Sequence, residues 1–468
     1  MRSRALYGAW TPDIAPHLSD GLLIARNVYA TANGYKPVKG PYEIADALPG
    51  TFRGGGSFVA SDGTARMIAG DGTDLYSLLS GVWTSKIGSL TVPNFWQFAQ
   101  FGDDVVCVNG GAPVTYDLSA DTAAATSGSP PTADLVTTVG DFVVLGRADG
   151  DVNAVAWSDQ GDAADWSGGF AGTQPLYSNG KIMGLAGGEY GLILQRFGIV
   201  RMTFTGDVAN PFQFDTVSTN YGCAAEKSVA QAGDLVFCWS DKGFIQIQAG
   251  GITPIGNEKV DRTFRETYSL DDMTNMWACV DPERTLVLFV MPGRVWCYNW
   301  TLQRWTDWAF SAVAAFPSFS ENITMEALDA IYGDVDSMPF LTDDPAFQGG
   351  DPRLTIVGFD GAFSVLKGDT LEAVFGLPNL ELAQGRTARV RTARPLTDAI
   401  DGMELTLYYS KRLGDAPTGV IYTELRDNGD MPVRVAGRYI RGEMRHAAGS
   451  VWDYDQGLEL EFEAGGRR

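Results

Sequence analysis

Two histidines, five cysteines and 57 acidic side chains are the residues of this 468-residue chain that could do chemistry. His17 and His446 fall in segments too unlike in pattern to build one catalytic centre, so imidazole acid–base or nucleophilic machinery is not expected. There is no G-x-S-x-G, no Walker A loop and no H-E-x-x-H. The triplet Gly54-Gly55-Gly56 does not open a helix and reads as a turn rather than a phosphate cradle. Carboxylate pairs for glycoside hydrolysis abound among so many acids, but no spacing singles one out. Asp334, Asp336, Asp343, Asp344 and Asp351 could offer calcium oxygens, yet they lack the spacing of a known loop, and solvated turn carboxylates are the plainer reading. No catalytic residue, cofactor-binding residue or metal ligand is therefore assigned, and no enzyme is expected. The cysteines, Cys107, Cys223, Cys238, Cys279 and Cys297, are odd in number, form no C-x-x-C and mostly sit in apolar runs. Buried free thiols and assembly in a reducing compartment are expected.

One stretch could bind a ligand through rings. Residues 295–308, VWCYNWTLQRWTDW, hold four of the twelve tryptophans, and Trp296, Tyr298 and Trp300 alternate at strand spacing. Such rings could stack on sugar or pack inside a β fold. Tyr298 precedes Trp305 by seven residues, as Tyr76 precedes Trp83 and Ile245 precedes Ile252. The isoleucine copy favours packing, because a sugar platform requires rings.

The elements that must position these residues are strands. Fifty-six glycines and 22 prolines suit many tight turns, and 45% hydrophobic residues supply cores while excluding disorder. A turn–strand–turn unit recurs. Gly102-Asp103 precedes VVCV, Gly140-Asp141 precedes FVVLG, Gly188-Glu189 precedes GLILQ, Gly233-Asp234 precedes LVFCW, and Asp281-Pro282 precedes TLVLFV. Weaker copies begin at Asp62-Gly63 and Asp351-Pro352. The steps between these marks are 40, 38, 48, 45, 48 and 70 residues. A period of about 40–50 residues holding about four strands is the signature of a β-propeller blade, here six or seven of them. The long last step implies an insertion near 310–348. The sequence thus predicts an all-β chain with a propeller over 51–370. Residues 1–50 form an N-terminal arm with platform strands, and 371–468 a C-terminal antiparallel β platform. One short helix is expected at Asn257–Thr267, with Asn257 as N-cap and Val260 and Phe264 on its buried face.

Charge separates the two parts. The net charge is −22, and 13 of the 35 Lys+Arg but only 14 of the 57 Asp+Glu lie in 381–468. That leaves 22 basic and 43 acidic residues for 1–380. Such a balance argues against a protein that grips nucleic-acid phosphate. The arginines Arg386, Arg389, Arg391, Arg394, Arg434, Arg438, Arg441 and Arg445 recur on the C-terminal strands, where cross-strand pairing with interleaved Glu and Asp is the plainest role. The opening MRSRALYGAWTPD lacks an apolar run, so no signal peptide is expected, and no run of 18 apolar residues suggests a membrane span.

Certain motifs go further. Trp10-x-Pro12-Asp13, Asp20-Gly21-Leu22, Ala25-x-Asn27-Val28 and Gly34-Tyr35-x-Pro37 open the chain. Tyr298-Asn299 and Arg304-Trp305 mark a central strand end. Gly437-Arg438-Tyr439-Ile440-Arg441, Ala448-Gly449-Ser450-x-Trp452 and Ala464-Gly465-Gly466-Arg467-Arg468 close it. Together they resemble the tail nozzle or tail hub proteins of short-tailed phages, the tail tubular protein B group and the related packaged-DNA stabilisation proteins. The resemblance implies a non-enzymatic virion protein, assembled in the host cytoplasm. It would form a homo-hexameric ring below portal and head-to-tail adaptor, dock tail fibres or spikes, and hold or pass genomic DNA without specific binding. It implies a platform built from both chain ends, and Trp10, Asp13, Arg438, Arg441 and Trp452 become the candidate partner or oligomer residues. The alternative is a propeller lectin or glycan-active receptor-binding protein.

Overall fold

A computed structural model describes residues 1–248, 251–320 and 350–465. Runs of four antiparallel strands follow one another as blades over 54–87, 97–125, 135–175, 182–218, 230–254 and 277–308. A seventh blade combines Ala314–Phe319, Pro352–Val357 and Phe363–Val365 with Tyr42–Ala45 from the N-terminal segment as its outer strand. The chain is a seven-bladed β-propeller whose circle is closed by that borrowed strand. The seven turn marks lie in or beside the connection between the first and second strands of the seven blades, one mark to each blade. Gly102 and Gly140 stand at φ 64° and 53°, which a tight hairpin requires and a side chain resists.

The second strand of each blade is covered on both faces, so it reads as a continuous apolar run rather than an alternation. Asp104–Val108, Phe142–Gly146 and Leu286–Met291 are almost wholly buried. The first strands of successive blades touch around the axis at six of the seven junctions. Between blades 4 and 5, Gln231 bridges both ways, donating to the Gly187 carbonyl at 2.6 Å and accepting from its N–H at 3.1 Å.

The platform is a sandwich of two sheets. One holds Val28–Thr31, Gly34–Pro37, Asp455–Ala464, Ala388–Thr397 and Met431–Gly437, with Arg2–Leu6 paired to Asp455–Ala464. The other holds Ile24–Arg26, Ala373–Gly376, Tyr439–His446, Met403–Ser410 and Thr418–Tyr422. This second sheet continues blade 6, because Ile24–Arg26 runs parallel to Arg304–Trp308. Platform strands alternate buried with exposed residues, as in Met431–Gly437, since one face is wet.

Three expectations need correcting. The break in blade 7 begins later than 310, because Ala314–Phe319 is a blade strand; residues 321–349 lie outside the described residues. The N-terminal 1–50 is divided, with Tyr42–Ala45 belonging to the propeller. The helix is Asp261–Thr267, and its N-cap position is Val260, not Asn257. Val260 and Phe264 are both fully buried, so the apolar face was right while the start was not. Glu258 stands at φ 55°, which interrupts the right-handed helix before Val260, and a distant side chain supplies the cap.

Candidate functional site

Trp10 is buried against Trp296, with ring centres 5.1 Å apart, and its indole N–H donates to the Leu23 carbonyl at 3.0 Å. Asp13 is the missing helix cap. Its carboxylate accepts from the N–H groups of Arg262 at 2.9 Å and Thr263 at 2.8 Å, the orphan donors of a helix start. Trp452 is buried in the platform core, stacked on His446 at 4.5 Å and edge-on to Phe375. Neither tryptophan presents its ring at the surface of the single chain, where both fasten the chain to itself. Arg438 is exposed and donates to Glu381 at 2.9 Å, and Arg441 lies 4.6 Å over the Tyr408 ring. These two remain surface groups.

Other residues of the opening motifs also fasten the chain to itself. Asn27 adopts φ 57° and joins platform to blade 6, donating to the Glu372 carbonyl at 2.7 Å and accepting from the Ala309 N–H at 2.6 Å. Tyr35 donates to the Gly8 carbonyl at 2.7 Å. Below Ile24–Arg26, buried Asp307 lies 3.2 Å from both Arg26 and Arg294.

Two arginines of the C-terminal rows, Arg391 and Arg394, and Arg4 of the N-terminal strand pair with acids on the first platform sheet. Arg4 meets Glu459 at 2.9 Å, Arg391 meets Glu463 at 2.8 Å and Arg394 meets Asp430 at 2.8 Å. In the 295–308 hairpin, Trp296, Tyr298, Trp305 and Trp308 are buried and Trp300 is half-buried. Tyr298 and Trp300 reach Phe237 of blade 5, Trp305 donates to the Ile255 carbonyl at 2.9 Å, and Trp308 to the Val28 carbonyl at 3.0 Å. The hairpin packs between blades, and Trp308 is tied to the N-terminal arm rather than left at an edge.

Sequence patterns did not reveal the cavity on the propeller axis. It measures about 370 Å³ and is lined by residues of all seven blades. Phe95, Trp277 and Lys227 gather at the leading ends of the inner strands of blades 2, 6 and 5. The Lys227 ammonium lies 3.7 Å from the centre of the Phe95 ring and 5.7 Å from that of Trp277. Burial pushes its pKa down to about 8, against a smaller upward pull from Glu226. Glu226 is engaged elsewhere: it pairs with buried Arg147 of blade 3 at 2.9 Å and with Lys181 of blade 4. Burial raises the Glu226 pKa, but these two cations outweigh it and leave the group below the usual carboxylate range. Arg147 also donates to the Ile182 carbonyl at 2.7 Å and reaches Asp134 at 3.3 Å, so one guanidinium clamps three blades.

A second hollow, about 690 Å³, lies beside blade 2 and is lined by Asp103, Asp104, Asp117 and Asp162, with no cation in its wall. Burial and then the neighbouring Asp117 and Asp103 raise the Asp104 carboxyl. All five cysteines are buried and free. Among the described residues no group of three or more His, Cys, Asp or Glu is arranged to hold a metal ion, and no helix is long and apolar enough to cross a membrane. Of the acidic cluster named from the sequence, only Asp351 is a described residue.

No family model and no curated protein matches the chain. Several solved structures match it at low identity. The extracellular domain of the putative one component system BT4673 from B. thetaiotaomicron is 11% identical with a TM-score of 0.43, over 83% of this chain and 48% of that one. The chain thus spans about half the length of that relative. BamB from Moraxella catarrhalis is 12% identical with a TM-score of 0.37, over 78% and 97%. BBS1N in complex with ARL6DN is 10% identical with a TM-score of 0.43, over 70% and 95%. Similarity at this level is one of fold alone.

Proposed function

We propose that the chain is a structural subunit of a short phage tail, a ring-forming nozzle or hub that continues the DNA channel and docks adaptor and fibre or spike proteins. The observation that carries this reading is the platform: strands from both chain ends, Arg2–Leu6 and Asp455–Ala464, pair in one sheet beside a propeller. That is the architecture implied by the resemblance of the terminal motifs. Electrostatics supports it. The excess of carboxylates over 1–380, and the cation-free hollow of Asp103, Asp104, Asp117 and Asp162, repel phosphate rather than hold it. The axial cavity of one propeller has the size of a small-molecule pocket, so a duplex would pass between subunits of a ring and not through a blade circle.

Negative-stain imaging and mass photometry of the purified chain, alone and with a tail adaptor, test this. Sixfold rings are expected. A chain that stays monomeric in both and is missing from purified tails overturns the reading. Arg438→Glu, at an exposed site, should weaken ring assembly while leaving the fold intact. The lectin alternative calls on the rings of 295–308 to stack on sugar; four of them, Trp296, Tyr298, Trp305 and Trp308, are buried, and Trp300 is half-buried.

A further inference from the structure

The wall of the axial cavity exposes polar and apolar atoms about equally, and five rings, Phe58, Phe95, Phe98, Trp277 and Phe316, supply its aromatic part. Only two charged side chains line it, and they are not equivalent. The Glu226 carboxylate is neutralised by Arg147 and Lys181. The Lys227 ammonium has no ion pair or hydrogen bond among the described residues and faces two ring π-clouds. Ring contacts contribute about 0.5–2 kcal/mol, but they leave its three N–H donors without lone pairs. The cavity therefore holds one uncompensated cation at an aromatic mouth. The inner strand of each blade is also a sheet edge, so its outward N–H and C=O groups turn toward the axis without sheet partners.

We propose that the propeller axis is a binding site for a small organic anion: a carboxylate that pairs with Lys227, carried on an aromatic or compact apolar body that lies against Phe95 and Trp277. The site is independent of the tail reading and does not require a ring. Its volume, about 370 Å³, falls at the lower end of small-molecule pockets and has room for a ligand of one or two rings. An anion bound to the ammonium favours the protonated lysine, so affinity should be full below about pH 8 and fall as pH rises through that value. Besides Lys227, the titratable side chains in the wall are Glu226, already paired, and the thiol of Cys279, which burial pushes well up. Neither releases or takes up a proton in that window.

Phenylacetate is the probe and phenylacetamide the uncharged control, titrated into the full chain and followed by saturation-transfer NMR and calorimetry. A ligand of this size should bind with a Kd of about 0.1–1 mM at pH 7. The amide should bind at least about tenfold more weakly, and phenylacetate should itself weaken about tenfold between pH 7 and 9. Lys227→Met should abolish both the preference for the carboxylate and the pH dependence, while Lys227→Arg keeps the preference and loses the fall above pH 8. Equal affinities for acid and amide, an affinity flat from pH 7 to 9 in the unmutated chain, or no saturation overturns the proposal. The pH and amide arms use the unmutated protein, so they decide the matter even if the variants fold poorly.

Discussion

The propeller and the platform are both antiparallel β, yet they are assembled by opposite rules. In six of the seven blades each strand pairs with its neighbour in sequence, so each blade closes over a short loop. In the platform most pairings are between distant segments, with Arg2–Leu6 against Asp455–Ala464 as the extreme. Loop closure must be met before distant contacts reward it, so the blades can form locally while the platform waits for both chain ends. Their polar chemistry differs too. The propeller buries single clamps such as Arg147–Glu226, whereas the platform spreads its charges in surface pairs and buries one His446–Asp455 pair at 2.7 Å.

The comparison can be broken by mutations that strike one region only. Trp452→Ala removes a ring from the platform core and should cost about 3–5 kcal/mol. Calorimetry should then show the platform melting ahead of an unchanged propeller; a single shifted transition would mean that the continuous sheet through blade 6 makes them one cooperative unit. Asp261→Asn acts at the join between blade 5 and the helix. Burial raises the Asp261 carboxyl to about 6, with Asp13 adding to this and the Phe244 N–H and Arg265 opposing it. A raised carboxyl holds its proton longer when folded, so this group lowers stability as pH climbs from about 4 to about 6, by roughly 2–3 kcal/mol at most, and has no effect below that window. Asn keeps an acceptor for the Phe244 N–H, bonded at 3.2 Å, and should flatten that part of the pH–stability curve. An unchanged curve would place the carboxyl in water.

Arg147→Met should cost about 2 kcal/mol, because it leaves Glu226 to Lys181 alone in a half-exposed site, and the loss should appear in the propeller transition. Asp13→Ala withdraws the remote cap and should cost about 1 kcal/mol, read as faster amide exchange at Arg262 and Thr263. Exchange unchanged at those two amides would show that solvent caps the helix equally well.

The same contrast explains what was legible beforehand. Blade order and strand positions could be read because hairpin turns and apolar runs are local signals, and the seven turn marks map one to a blade. The number stayed open at six or seven because the last outer strand, Tyr42–Ala45, comes from the other end of the chain. The five named interface residues show the limit. Trp10 and Trp452 look like anchors in one dimension, but pack against Trp296 and His446 in three. Asp13 stands in a loop, and only the fold brings it to the helix start at Arg262. The axial site was invisible for the same reason: Phe95, Lys227 and Trp277 belong to three blades and share no spacing.

By itself the amino-acid sequence determined the all-β character, the blade repeat, the acidic balance of 1–380 and the arginine strands of the C-terminal part, all consequences of turn chemistry, apolar runs and composition. Tertiary structure alone decided the closure of blade 7, the fusion of the platform with blade 6, the burial of the motif tryptophans and the lone ammonium on the axis. Those depend on contacts between segments far apart in the chain, and no local preference encodes which distant segment will cover a ring or neutralise a charge.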